Sequence, residues 1–149
     1  MSNRILIVAS NGGHLVQLLR LQKAFEAFHV TLVSTSETPP SNVVFSAYYQ
    51  VHDSNFDDKF GLIKTALHTA KIILRIRPKV VVSTGAAPGL FCILWNRLMG
   101  GKAIWIDSIA NTESLSLSGK VAKRLTKHCY SQWEQVANQN GVGYIGAII

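Results

Sequence analysis

Three short apolar runs, each ending in a turn and giving way to a helical pattern, constrain this chain most. Arg4 to Ser10 (RILIVAS) enters Asn11-Gly12-Gly13, Val80 to Val82 enters Thr84-Gly85-Ala86-Ala87-Pro88-Gly89, and Ala103 to Ile106 enters a polar loop that starts at Asp107. Runs this short and rich in Val and Ile, closed by turn residues, read as strands buried on both faces. Two further strands are expected at Val30–Val33 and Tyr48–Val51, the polar segment Thr35 to Ser46 with Pro39-Pro40 lying between them.

Helical periodicity separates these runs. From His14 to Phe28, Leu15, Leu18, Leu21, Phe25 and Phe28 recur three and four residues apart, with Arg20, Lys23 and Glu26 between them. That spacing predicts one amphipathic helix. Further helices are expected over Phe60–Ile76, ending before Pro78, over Leu90–Met99 and over Ser118–Lys127. Strands alternating with helices through short loops require crossover connections. The expected fold is therefore α/β, Rossmann-like, with a mainly parallel sheet and helices on both faces. With 149 residues and 48% hydrophobic side chains, the chain suffices for one such core and is too short for two, so residues 1–149 are read as a single domain.

In this architecture ligands bind beyond the carboxyl ends of the strands. Three loops should meet there: Ser10 to His14, Thr84 to Gly89, and Asp107 to Glu113. Gly12 and Gly13 free the backbone to present amide groups at a helix N-terminus, a place for a phosphate or developing negative charge; an ordinary tight turn explains them equally well. His14, at the mouth of the sheet, is a candidate general base, although a lone His is more often structural. The small residues Thr84, Gly85, Ala86, Ala87, Pro88 and Gly89 allow a ligand, or simply the next helix, to approach the backbone closely. Asp107, Ser108, Asn111 and Glu113 offer hydrogen-bonding groups suited to a carbohydrate and equally to a plain loop. The spacing is not the dinucleotide fingerprint, and no phosphate-loop lysine is present. No cofactor is expected, and no metal.

Charge bears on partners. Fifteen Lys and Arg against eight Asp and Glu leave +7, which favours phosphates, anionic lipids or nucleic acid. Lys64, His68, Lys71 and Arg75 fall on one face of the second helix, expected opposite Leu62, Ala66 and Ile73, and Lys120, Lys123, Arg124 and Lys127 repeat the pattern on the last. Such stripes are commonly solvated faces; two of them point toward an anionic membrane, with Lys64, Lys71 and Arg75 as contacts. No nucleic-acid-binding signature accompanies the charge, so nucleic acid is not an expected partner. Arg4 to Ala9 is too short for a signal peptide or membrane span, which makes peripheral attachment the expectation. Cys92 and Cys129 lack metal-ligand spacing and read as buried, reduced thiols.

The stretches Ser10-Asn-Gly-Gly-His-Leu-Val-Gln17, Val82-Ser-Thr-Gly-Ala-Ala-Pro-Gly89, Trp105-Ile-Asp-Ser-Ile-Ala-Asn111 through Leu115–Lys120, and Gln132-Trp133-Glu134 carry a resemblance in order and spacing. Together they resemble bacterial exopolysaccharide and capsule biosynthesis proteins related to the acceptor-side, membrane-recruiting subunit of the eukaryotic dolichol-linked N-acetylglucosaminyl transferase, and more distantly the N-terminal domain of MurG. The resemblance implies the N-terminal half of a GT-B glycosyltransferase, a polyprenyl-pyrophosphate-linked sugar acceptor, a UDP-sugar donor and a separate donor-binding subunit. It also implies a place on the cytoplasmic, inner face of the cell membrane. By that resemblance Gly12 and Gly13 would meet the acceptor phosphates and His14 would be the base. Asn11, Thr84 to Gly89, Asp107, Ser108, Asn111 and Glu113 would line the acceptor cleft. Tyr144 to Ile149 would either face the partner or form a last edge strand. A non-catalytic scaffold that recruits a glycosyltransferase, and a free-standing nucleotide-binding domain, are the competing readings.

Overall fold

The computed structural model describes residues 3–149. Seven strands form one parallel sheet in the order β3-β2-β1-β4-β5-β6-β7: β1 (Arg4–Ala9), β2 (His29–Ser34), β3 (Ala47–Gln50), β4 (Val80–Gly85), β5 (Lys102–Ile106), β6 (Cys129–Ser131) and β7 (Gly143–Tyr144). The helices are α1 (Gly13–Arg20), α2 (Lys59–Ile76), α3 (Ala87–Leu98), α4 (Leu117–Leu125) and α5 (Glu134–Asn140). The Rossmann-like α/β architecture expected from the alternation is the one observed.

Right-handed crossovers decide which helix covers which face. The chain runs outward from β1 through α1 to β2, then returns along α2 to β4 and continues the other way through α3, α4 and α5. α1 therefore lies on one face, and α2, α3 and α4 on the other. The core divides accordingly. Ile5, Ile7, Val30, Leu32 and Val82 pack with Leu15 and Leu18 of α1. Leu6, Val8, Val33, Val81 and Trp105 pack with Ile72 and Ile73 of α2, Ile93 of α3 and Ala122 of α4.

Several boundaries differ from the periodicity reading. The helix expected over His14–Phe28 stops at Arg20, and a 3-10 turn over Gln22–Phe25 follows. Phe25 still packs on the sheet while Phe28 is exposed, so the apolar spacing outlasted the helix. α3 begins at Ala87 rather than Leu90, with Pro88 in its first turn, where the missing amide costs nothing. β6 and α5 escaped the sequence reading because a strand of three residues and a helix of seven hold too few positions to display a period. β7 is the edge strand weighed for the C-terminal segment, covering only its first residue, Tyr144.

Candidate functional site

The direction of chain crossing reverses between β1 and β4, which are hydrogen-bonded neighbours, and a crevice forms beyond the strand ends at such a point. The loops after these two strands are Ser10–Gly12 and Ala86. Between them sits His14, in the first turn of α1. Gly12 holds φ +95° and ψ −141°, open to glycine alone among common residues, and this sharp bend aims α1 back across the strand ends.

His14 is clamped from two sides. Its Nδ1 lies 3.1 Å from the carbonyl oxygen of Thr84, and the Thr84 hydroxyl donates to the carbonyl of His14 at 2.6 Å. A carbonyl only accepts, so Nδ1 carries the proton in this contact and Nε2 keeps the lone pair. Nε2 has no hydrogen-bond partner among the described residues, leaving a ring nitrogen oriented by the protein and unspent on it.

Gly85 makes the clamp possible. It has φ +146°, and a Cβ there would collide with the His14 imidazole. A register shift in the β1–β4 ladder at Val8/Ala9 pairs Ala9 with Gly85, and such irregularities re-aim the backbone beside a site. Ala86 follows at φ +69°, one of two non-glycine residues with positive φ among those described. Both α1 and α3 start without a side-chain cap, whereas Asp58 caps α2 and Ser116 caps α4. α5 also starts without a side-chain cap, but of the three uncapped amide ends the two of α1 and α3 are the ones beside His14.

The remaining expected site residues divide. Asn11, Gly12 and Gly13 are exposed and Ala86 half-buried, around His14; the Asn11 amide donates to Thr35 Oγ1. Thr84, Gly85, Ala87, Pro88 and Gly89 are buried, so they shape the crevice from behind. Gly89 is needed for packing, since a Cβ there would strike the Ser83 hydroxyl.

Asp107 is 1% exposed, and both carboxylate oxygens are occupied. Oδ1 accepts from Trp105 Nε1 at 3.0 Å and Ser116 Oγ at 2.6 Å, and Oδ2 from Asn111 Nδ2 at 3.0 Å and the Ser116 amide at 2.9 Å. Asp107 thus ties the third loop to the start of α4 and its hydrogen-bonding capacity is spent there, while Asn111 contributes one side-chain donor. Ser108 is buried and accepts from Gln17 and the Ala110 amide. Glu113 alone of this group is an exposed side chain.

Two glutamines join the loops, and sequence reading passed over both. Gln17, one turn after His14, is 6% exposed and Gln132 is 3% exposed. Gln132 Nε2 donates to Gln17 Oε1 at 2.6 Å and to the Asp107 carbonyl at 2.9 Å, while its Oε1 accepts from the Ile148 amide at 2.7 Å. Gln17 in turn accepts from the Ile109 amide at 3.2 Å. One buried network therefore connects α1, the β5–α4 loop, the end of β6 and the C-terminal segment. In sequence both glutamines fall within the stretches that carry the resemblance, with no role given to either.

α2 carries a second surprise. Lys64, Lys71 and Arg75 are exposed as expected, but they share the outer face with Phe60 (88% exposed), Ile63, Leu67 and Leu74. The buried face holds Ile73, as expected, with Ile72, but also Thr65 and Thr69 in place of Leu62 and Ala66. Thr65 bonds Ser54 and the His52 carbonyl, and Thr69 accepts from Trp95 Nε1 and donates to the Thr65 carbonyl. The polarity of α2 is partly inside out. No helix among the described residues is long and apolar enough to cross a membrane.

A parallel sheet with a crevice at its reversal point is the N-terminal-domain architecture shared by GT-B glycosyltransferases and UDP-N-acetylglucosamine 2-epimerases. The fold superposes on MurG of Acinetobacter baumannii with a TM-score of 0.67 at 15% identity, covering 87% of this chain and 41% of that one. It superposes on the 2-epimerase of Methanocaldococcus jannaschii solved with UDP-GlcNAc and UDP with a TM-score of 0.68 at 12% identity, covering 92% and 42%. The chain thus spans about two fifths of these solved proteins. In sequence, residues 35–148 match the family "Oligosaccharide biosynthesis protein Alg14 like", and the chain belongs to that family. It is similar to UDP-N-acetylglucosamine transferase subunit ALG14 of Mus musculus, 25% identical over 182 aligned positions, which cover 99% of this chain and 84% of the relative. To the Homo sapiens protein of the same name it is also 25% identical, with 97% and 82% covered.

Proposed function

We propose that this chain is the acceptor-side subunit of an inverting GT-B glycosyltransferase in polysaccharide biosynthesis. It works with a donor-binding subunit that holds a UDP-sugar, and its acceptor is a sugar linked to polyprenyl pyrophosphate. The reading is supported by the family, by the word subunit in the relatives' names and by one feature of the site: His14, oriented through Nδ1 with Nε2 unspent, between two helix ends that lack side-chain caps.

In this mechanism Nε2 takes the proton of the acceptor hydroxyl as its oxygen attacks the anomeric carbon of the donor. The bond to the nucleotide diphosphate breaks on the opposite side, which inverts the configuration. The amide ends of α1 and α3, with Gly12 and Gly13, suit the acceptor phosphates. Stabilising the leaving diphosphate falls to the partner.

Membrane attachment, at the inner face of the cell membrane, belongs to α2. Its exposed Phe60, Ile63, Leu67 and Leu74 alternate with Lys64, Lys71 and Arg75, a combination suited to the interface of an anionic bilayer.

Sugar transfer from UDP-GlcNAc onto a polyprenyl-pyrophosphate-linked sugar, assayed with the chain co-expressed beside a donor-binding partner, tests the proposal. His14→Ala should lower kcat by about 10²–10⁴-fold while co-purification with the partner is retained. Unchanged turnover in that variant would leave a recruiting scaffold as the better reading, and full activity of the chain alone would end the two-subunit reading.

A further inference from the structure

The two ends of the sheet carry opposite charge. Every carboxylate except Glu26 lies on a segment leaving the carboxyl end of a strand: Glu37 after β2, Asp53, Asp57 and Asp58 after β3, Asp107 and Glu113 after β5, and Glu134 after β6. From Lys59 to Ile106 the chain contains no Asp or Glu at all. Of the three connections that return from α2, α3 and α4 to the opposite end of the sheet, none carries an acid; the first holds Arg77 and Lys79, the last Lys127, and the middle one is flanked by Arg97 and Lys102.

At that end the C-termini of α3 and α4, the first residues of β5 and the α4–β6 connection line a cavity of about 520 Å³. Arg97, Lys102, Lys123, Arg124, Lys127 and His128 line it, and no carboxylate does. Cations at helix C-termini commonly balance the helix dipole, but each helix end amounts to only about half a negative charge. Five fixed positive charges against two helix ends leave roughly four unbalanced.

The cavity is also organised. Arg97 donates through Nε to the Leu125 carbonyl at 2.9 Å and through Nη1 to the Gly101 carbonyl at 2.8 Å, and Thr126 Oγ1 donates to the Ala103 carbonyl at 2.7 Å. Carbonyl oxygens that would repel an anion are thereby covered. Lys123 is drawn to the Asn140 carbonyl at 3.2 Å. Leu98 and Met99, which follow Arg97 in the chain, are 71% and 42% exposed, so exposed apolar side chains lie between two of the cradle's cations, Arg97 and Lys102, in sequence.

We infer that this cavity binds a phosphate group, carried by an anionic lipid headgroup, at the end of the sheet opposite His14. The cradle supplies the charge, and Leu98 and Met99 meet the acyl region beside the headgroup. The inference stands apart from the transferase reading because none of its residues borders the His14 crevice.

The test compares wild type, Lys102→Gln/Lys127→Gln and, as a control on α2, Lys64→Gln/Lys71→Gln. All of these positions are exposed, so folding should be kept, and thermal melting checks it. Flotation with phosphatidylcholine vesicles, with and without phosphatidylglycerol, reads the lipid, and titration with inorganic pyrophosphate reads the soluble anion. The cavity pair should bind the phosphatidylglycerol vesicles about thirtyfold more weakly than wild type, and pyrophosphate should compete with the vesicles for wild type. Loss of pyrophosphate binding with vesicle binding intact would overturn the lipid source in favour of a soluble phosphate. Wild-type behaviour of the cavity pair toward both ligands would overturn the site.

Discussion

His14 depends on a neighbour that has no side chain. Gly85 lets the imidazole lie against the β4 backbone, and the contact with the Thr84 carbonyl fixes which nitrogen is protonated. Gly85→Ala should therefore cost at least about 1–3 kcal/mol, from φ +146° and from displacing the ring. Urea denaturation measures the loss, and activity should fall further than stability does. Ala86 is the reverse case: its φ of +69° is strained for a residue with a Cβ. Ala86→Gly should raise the unfolding free energy by about 1 kcal/mol, and an unchanged or lowered urea midpoint would contradict the strain. Gln132→Leu removes donors and an acceptor from three loops at once. Its loss should exceed about 2 kcal/mol because the buried Asp107 carbonyl and the part-buried Ile148 amide both lose this partner, as thermal melting would report.

Among the elements, α2 separates stability from surface chemistry. Thr65 and Thr69 are fully buried while Leu67 and Leu74 are more than half exposed. Leu67→Ser with Leu74→Ser should therefore leave stability within about 0.5 kcal/mol per site and reduce vesicle flotation. A large fall in melting temperature with flotation unchanged would make these leucines part of the packing instead. The long amphipathic pattern announced α2, and its buried face still differed from the expected one. Leu62 and Ala66 are only half-buried, because the helix turns its small and hydroxyl-bearing side chains to Trp95 and Ser54. Close packing against α3 rewards small residues, and hydroxyls are tolerated there because each finds a partner. α1 shows the opposite limit. Its periodic spacing continued to Phe28, but the 3-10 turn keeps Phe25 on the sheet and leaves Phe28 outside.

Across the whole molecule, the distribution of charge and the buried thiols make condition-dependent predictions. Cys92 and Cys129 are free and buried. Burial pushes the Cys92 thiol well above its ordinary value of 9.0. Burial, with a smaller push from Asp107 against a pull from Lys123, raises Cys129 to about 12. Above pH 9 the unfolded chain loses these protons while the folded chain keeps them, so the unfolded state binds fewer protons and stability falls as pH rises. The thiol contribution is complete below pH 9, and both cysteines should resist alkylation in the native state at pH 8 and react after unfolding. A rapidly labelled thiol in the native protein would contradict their burial.

The sequence by itself determined the class of fold. Runs of Val and Ile long enough to show a buried strand, and helices long enough to show a period, specify an alternating α/β chain whose crossover connections force a parallel sheet. It also pointed to His14 and the two glycine-containing loops, because turn chemistry is local. Tertiary structure alone decided which polar groups were available. Asp107 and Glu113 are both carboxylates in one loop, yet packing against Trp105 and Ser116 consumes the first and leaves the second exposed. The Gln17–Gln132 link spans |i−j| = 115, and the cationic cavity gathers residues from α3, α4, β5 and the α4–β6 connection. Periodicity reports how a segment faces its own neighbours; which distant partner meets each face is fixed only when the sheet order brings the strand ends together.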